Sequence, residues 1–315
     1  MRVVYWTRMP VARKFIVAGV NELADVQIEE IDDIDAVIAA LPGADGLITF
    51  DAPAPLAGRI VEALRAPDST VRFMHIVSAG REGYDAAGIP DHLAVTGADG
   101  AHSPTVAEHA VALMLALGRR FPRMAAMTAK GQWDRNAGDG MFSLEGRTLL
   151  VIGTGAAGCA IAARARPFGM KIIGLSRKGE MKPGFDATRP LSALDESLAE
   201  ADVVAISIAL AAETRHLLSA ARLRLMKKGA VLVNIARGGI VDTDALVEVL
   251  NDGHLAGAGL DVTDPEPLPD GHPLWSAPNV LITPHVAGFG SELSTRRMAQ
   301  AVVNAVRRHL PAPSL

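Results

Sequence analysis

The stretch from Leu149 to Lys178, LLVIGTGAAGCAIAARARPFGMKIIGLSRK, leaves few folds open. Thr148 to Ile152 is an apolar run of β-forming residues, long enough for a buried strand. It ends on Gly153-Thr154-Gly155-Ala156-Ala157-Gly158, a G-x-G-x-x-G pattern. An alanine-rich helical stretch follows to Phe168, Gly169 closes it, and Lys171 to Leu175 reads as a second strand. The whole is one βαβ unit with its glycines at the first turn. Gly153 permits the tight turn, Gly155 lets a pyrophosphate approach bare backbone, and Gly158 lets helix and strand pack closely. Helix amides and the helix dipole then hold the phosphates. Glycine-rich turns alone often do no more than make corners. Both strands, the helix and their spacing point to dinucleotide binding here.

At 315 residues the chain is long for one core and comfortable for two domains. Its 49% hydrophobic and 21% charged residues describe a globular protein. Net charge is −4 and no long basic block occurs, so nucleic acid and anionic membrane are poor candidates as partners. The N-terminus MRVVYWTRMP lacks a signal-peptide core, and no long uncharged run reads as a membrane span. A soluble cytoplasmic protein is expected. Cys159, the one cysteine, excludes an intrachain disulfide and reads as a small packing residue on the helix after the glycines.

Before the central unit, strands and helices alternate. Val3–Trp6, Val26–Ile28, Gly46–Phe50, Phe73–Val77 and His92–Thr96 read as strands, most of them followed by helical stretches. Such alternation predicts a parallel sheet flanked by helices, and residues 1–98 a small α/β domain. Ser78-Ala79-Gly80-Arg81-Glu82-Gly83 opens a loop at a strand's carboxyl end, where Gly80 and Gly83 are candidates to offer amides to an anion. An ordinary turn with a solvated Arg81 is the alternative. His102–Glu108 opens the longest helix, through Gly118 and on toward Lys130, with Ser103 as N-cap and Pro104 at N1. It is apolar nearly all round from Ala110 to Leu117, which predicts burial between domains or subunits. His102 and His109 lack metal-ligand spacing and read as helix-end or interface residues, and no metal is expected. Downstream, a loop with a helix is expected over 186–200, a mostly helical segment over 213–225, and a terminal helix over 293–310.

Arg237, Asp261, Glu266 and His285 each fall at or just beyond the carboxyl end of an expected strand, the edge that also carries the glycine turn. Hydride transfer to a carbonyl needs a proton for the oxygen, a cation to grip the substrate and a positioned cofactor face. Histidine titrates near neutrality and suits the proton. A neighbouring carboxylate orients the imidazole and favours imidazolium, and arginine grips a carboxylate bidentately. Singly each residue has an ordinary reading, whether surface ion pair, solvated charge, turn cap or loop histidine. Four such residues on a dinucleotide domain make catalysis by Arg237, Glu266 and His285 the better one.

VIGTGAAG at 151–158, VLVNIARGGIVDTDAL at 231–246, LDVTDPEP at 260–267 and HPLWSAPNVLITPHVAG at 272–288 together make the chain resemble the D-isomer-specific 2-hydroxyacid dehydrogenases. The resemblance extends over nearly the whole length. It implies two doubly wound parallel-sheet α/β domains, a Rossmann cofactor domain (99–289) inserted in a flavodoxin-like substrate domain (1–98 plus 290–315), the last helix crossing back to the first domain. The family's arginine, glutamate and histidine fall on Arg237, Glu266 and His285, and its nicotinamide-carboxamide aspartate on Asp261. Its substrate-carboxylate loop falls on Ala79-Gly80. Cofactor contacts are expected at Gly153, Thr154, Gly155, Ala156, Ala157, Gly158, Ser176, Arg177, Lys178, Ala236 and Asp261. The resemblance also implies a homodimer through the 103–130 region. The expected reaction is reduction of a small 2-oxo acid, of the glyoxylate or hydroxypyruvate kind, to its D-2-hydroxy acid.

The sequence departs from the family in two places. AGREGYD at 79–85 replaces the usual A-G-V-D-x-I-D, and Ala211 stands where a threonine usually contacts phosphate. No appended regulatory domain of the long phosphoglycerate dehydrogenases is expected. A dinucleotide-sensing corepressor is a second class of function, although no partner-binding tail is apparent. A formate-dehydrogenase-like relative would carry glutamine in place of Glu266. As for cofactor, NAD-preferring domains end the second strand in an acid that bonds the ribose hydroxyls. Here Lys171–Leu175 runs into Ser176-Arg177-Lys178 with no acid before Glu180, so NADPH is expected over NADH. Were the two cations merely solvated, the protein would be indifferent between the cofactors.

Overall fold

The computed structural model describes residues 1–7, 10–98 and 100–310. In chain order come β1 (Arg2–Trp6), α1 (Pro10–Asn21), β2 (Gln27–Ile31), α2 (Ile34–Ala40), β3 (Gly46–Thr49), α3 (Ala54–Arg65), β4 (Phe73–Ile76), α4 (Glu82–Ala87), β5 (Ala94–Gly97), α5 (Ser103–Gly118) and α6 (Phe121–Ala129). Then follow β6 (Thr148–Ile152), α7 (Ala156–Ala165), β7 (Lys171–Ser176), β8 (Ala187–Pro190), α8 (Leu194–Glu200), β9 (Val203–Ile206), α9 (Ala220–Leu225), β10 (Val231–Asn234), α10 (Thr243–Asn251), β11 (Gly257–Leu260), β12 (Val280–Ile282) and α11 (Glu292–Arg308). They form two compact units, Met1–His102 with the segment from Gly290 onward, and Ser103–Phe289.

The first unit is a five-stranded parallel sheet in the order β2-β1-β3-β4-β5, the flavodoxin-like order. Alternation along β1 sends Val3 and Tyr5 to one core and Val4 and Trp6 to the other, so both faces are covered. α11 belongs to this unit: Met298, Ala299, Val302, Val303 and Val306 join the core shared with α1. The unit ends after His102, whereas the sequence placed its boundary after residue 98. Ala98 and Ala101 are part of its core, the Ala101 amide bonds the Ala98 carbonyl, and Arg297 of α11 donates to Ala101 O at 3.1 Å. These contacts keep the connector with the first sheet. Residue 99 itself and residues 311–315 lie outside the described residues.

The second unit carries a seven-stranded parallel sheet in the order β12-β11-β10-β9-β6-β7-β8. Counted from β6 this is the 3-2-1-4-5-6 order of a Rossmann domain with one strand added at the end. Leu150 and Ile152 point to one core and Leu149 and Val151 to the other. β8 is a strand where only loop was expected over 187–190. Its sequence, ATRP, is polar and ends in proline, which a sheet tolerates at an edge. The Asp186 carboxylate accepts the Ile172 amide at 2.7 Å and the Arg166 guanidinium at 3.0 Å, fastening that edge.

α5 spends its apolar surface within its own unit. Leu113, Met114 and Leu117 pack into the core with Ile161 and Val233, and Leu113 sits against Gly259 of β11, whose added Cβ would lie 2.9 Å away. Ala112 of the helix stays exposed, and Val106 and Leu115 are half-buried. The helix also does not run on to Lys130. Arg120 adopts a left-handed conformation (φ 50°) and α6 starts afresh at Phe121, with Pro122 in its first turn. The segment over 213–225 is helical only in a short 3-10 turn and in α9.

Candidate active site

Three glycines shape the turn after β6. Gly153 has φ +105°, and a Cβ on it would meet the Ser207 carbonyl at 2.6 Å. A Cβ on Gly158 would sit 1.9 Å from the Gly153 oxygen, so helix and turn touch there. Around Gly155 nothing lies within 4 Å of the added atom, which leaves open space beside bare backbone. α7 starts immediately after it, and first-turn amides of a helix have no partner within that helix. Open space, exposed backbone and a helix N-terminus fit a pyrophosphate. Ser207, whose part here the sequence did not reveal, donates to Gly153 O at 2.7 Å and pins the turn to the end of β9.

At the carboxyl end of β7, Arg177 and Lys178 are exposed and Ser176 is half-buried. The Ser176 hydroxyl oxygen accepts the Gly179 amide at 3.0 Å, a role that does not use its proton. Glu180, the first acid after the strand, lies 3.8 Å from Lys182. Thr214, near Ala211, is buried and gives its hydroxyl proton to Ala209 O while accepting the Ala211 amide. It therefore does not replace the missing threonine.

The strand ends carrying the charged residues are each held by a buried side chain. Asn234, 1% exposed, accepts the Ala236 amide at 3.0 Å and donates to the Arg237 carbonyl at 2.9 Å. That grip sets the turn from which Arg237 projects, and Arg237 Nη1 donates to Ala236 O at 2.7 Å. Asp261, 2% exposed, organises the turn after β12. Its Oδ1 accepts the Thr283 hydroxyl at 2.6 Å and the Val286 amide at 2.9 Å, its Oδ2 accepts the Ala287 amide at 2.9 Å, and its carbonyl accepts the His285 amide at 2.8 Å. His285 itself has φ +55°, uncommon for a residue with a Cβ.

His285 Nδ1 lies 2.7 Å from Glu266 Oε1. An ionised carboxylate only accepts, so Nδ1 carries the hydrogen and Nε2 is left to exchange a proton elsewhere. Both side chains are roughly half exposed. They line a pocket with Asp261, Leu268, Trp275 and Pro284. The sequence expectation thus brought Asp261, Glu266 and His285 to one place. It missed Thr283 and His109, whose Nε2 lies 2.9 Å from the Thr283 hydroxyl.

In the first unit, the loop after β4 is tied down rather than open. The Gly83 amide, expected to face an anion, donates to Asp51 Oδ1 at 3.1 Å. A Cβ on Gly83 would lie 1.7 Å from Ala52 O, so packing demands that glycine. Ser78 donates to Gly80 O at 2.9 Å and accepts the Asp51 amide, and Arg81 pairs with Asp85. Burial pushes the Asp51 carboxyl up, while the Gly83 amide pulls it back. Among the described residues, no three His, Cys, Asp or Glu side chains cluster in a way that could hold a metal ion. No helix among them is long and apolar enough to cross a membrane.

A Rossmann sheet with an open glycine turn and a histidine–carboxylate pair on its carboxyl edge defines an oxidoreductase that works with a nicotinamide dinucleotide. Residues 111–287 match the model of the "D-isomer specific 2-hydroxyacid dehydrogenase, NAD binding domain". A glyoxylate reductase of Thermofilum pendens is 36% identical over 245 residues, 74% of this chain and 71% of that protein. Two solved structures cover the fold nearly end to end. One is a D-isomer specific 2-hydroxyacid dehydrogenase from Xanthobacter autotrophicus Py2 in complex with NADPH and MES (26% identity, 98% and 94% of the two chains, TM-score 0.80). The other, from Lactobacillus delbrueckii ssp. bulgaricus, is NAD-complexed (25% identity, 99% and 99%, TM-score 0.76). The chain belongs to the D-isomer-specific 2-hydroxyacid dehydrogenase family.

Proposed function

We propose that this protein reduces a small 2-oxo acid of the glyoxylate or hydroxypyruvate kind to its D-2-hydroxy acid, with NADPH preferred over NADH. The observation that carries the reading is the 2.7 Å contact between His285 Nδ1 and Glu266 Oε1 at the edge that bears the glycine turn. The cofactor would supply the hydride. Its pyrophosphate would lie on Gly155 and the first-turn amides of α7, with Thr154, Ala156, Ala157, Ala236 and Asp261 also bordering it. His285, protonated, gives its Nε2 proton to the carbonyl oxygen as that oxygen gains charge, and Glu266 keeps the ring oriented and cationic. Arg237 holds the substrate carboxylate and polarises the adjacent carbonyl. The part assigned to Ala79 and Gly80, a further grip on the carboxylate, rests on the family resemblance. The glutamate at 266 argues against the formate-dehydrogenase reading, because an acid is needed to keep a proton donor charged and formate oxidation needs no proton donor.

NADPH preference rests on Ser176, Arg177 and Lys178, which present a hydroxyl and two exposed cations where an acid would otherwise repel a 2′-phosphate. The deciding measurement is kcat/KM across a panel of 2-oxo acids with each cofactor, before and after Arg177→Ala. Turnover of glyoxylate or hydroxypyruvate with NADPH favoured, and that preference reduced in the variant, is the expected result. Absence of turnover with any 2-oxo acid would remove the activity. A wild-type preference for NADH would remove the cofactor assignment.

A further inference from the structure

His109, on α5, stands outside the strand-end turns that carry the charged groups of the site, yet it is joined to them by a short line of hydrogen bonds. Its Nε2 lies 2.9 Å from the Thr283 hydroxyl and 3.6 Å from Asp261 Oδ1. Thr283 has one hydroxyl proton, and it is given to Asp261 at 2.6 Å. The same oxygen can therefore only accept from the imidazole, which fixes the hydrogen of His109 on Nε2. Asp261 is buried and takes the Val286 and Ala287 amides, while its carbonyl takes the His285 amide. Three successive amides of the His285 turn thus hang on one aspartate whose carboxylate is oriented by a threonine that His109 orients in turn. A turn in which a non-glycine residue holds a left-handed backbone keeps that conformation only when its surroundings over-determine it.

We infer that His109 is a positioning residue for the reaction proposed above: through Thr283 and Asp261 it sets the backbone turn that aims His285 at Glu266. This rests on the proposed role of His285. Losing the donor at position 109 frees the Thr283 rotor, loosens the Asp261 grip on residues 285–287 and lets the His285–Glu266 contact lengthen. A misplacement of about 1 Å caused from outside the chemistry can cost on the order of a hundredfold in rate, and a smaller drift about tenfold.

The test compares His109→Phe, which keeps a ring but no donor, with His109→Gln, whose side-chain amide offers a donor at similar reach. With a reducible 2-oxo acid, His109→Phe should lower kcat about tenfold with little change in KM or in cofactor Kd. His109→Gln should recover most of the loss. Thr283→Val should give the same loss, and adding His109→Phe to it should cost nothing further, as coupled sites require. Should His109→Phe not fold, the Thr283→Val comparison reports the same link from its other end. A wild-type kcat in His109→Phe overturns the inference, and so does a glutamine variant as impaired as the phenylalanine one. If the wild-type protein reduces no 2-oxo acid, the functional reading fails instead, and the link is read without turnover. In histidine-labelled protein, the His285 ring resonances should then move in His109→Phe, and unmoved resonances overturn it.

Discussion

Arg237 and His285 are each aimed by a buried neighbour, Asn234 and Asp261, which separates two kinds of mutational effect. Arg237 projects from a turn closed by Asn234, so Arg237→Lys keeps the Asn234 bonds while removing the planar fork and its bond to Ala236 O. That variant should lose at least about tenfold in kcat/KM for the oxo acid while still binding cofactor. Near-normal turnover would take Arg237 out of the site. For His285 the expected signature is in turnover. Reduction needs a proton donor within reach of the carbonyl oxygen, so His285→Asn should lower kcat/KM for the oxo acid by on the order of a hundredfold while cofactor still binds. Glu266 lies 2.7 Å from the ring, so Glu266→Gln should show part of that loss, and adding it to His285→Asn should cost little more. If the two losses add in full, the residues do not work as a pair.

Elements are assembled here from short strands whose edges need side-chain help. β8 has a proline and few apolar residues, and its attachment depends on Asp186, which takes the Ile172 amide and the Arg166 guanidinium. The Ile172 amide foremost, and Arg166 beside it, hold the Asp186 carboxyl below the usual aspartate range. A depressed folded value means stabilisation that is fully present above the unfolded aspartate value, about 3.9, and lost as pH falls through the lower folded one. Asp186→Asn should therefore lower Tm by a few degrees near neutrality, the scale of about one hydrogen bond, and the gap should close in acid. An equal gap at every pH would assign the loss to packing rather than charge. The β6–α7–β7 unit contrasts with this edge. Its strands lie inside the sheet, and Gly153 and Gly158 press directly on backbone.

At the scale of the whole molecule, α6 has no buried residue, with Phe121 57% exposed, and Trp133 beyond it is 91% exposed. We propose that a second copy of the chain covers this surface, as the family resemblance implies. Sedimentation should then give a dimer that Phe121→Asp weakens, and a monomeric wild type would end the proposal. The parallel sheets, the glycine turn and the strand-end positions of Glu266 and His285 were legible in the sequence because each is a local signal: an apolar period, a glycine spacing, a residue just past a strand. α11's return to the first unit came from the family resemblance, since its periodicity names no partner. Other features had no local signal at all. β8 is a strand only because β7 and Asp186 hold a polar, proline-ended segment there. Gly83 offers its amide to Asp51 instead of an anion because the fold sets that carboxylate beneath it. His109 meets Thr283 across 174 residues of chain, and a hydrogen bond between two common polar residues so far apart leaves no pattern until the sheet has closed and α5 has packed over it.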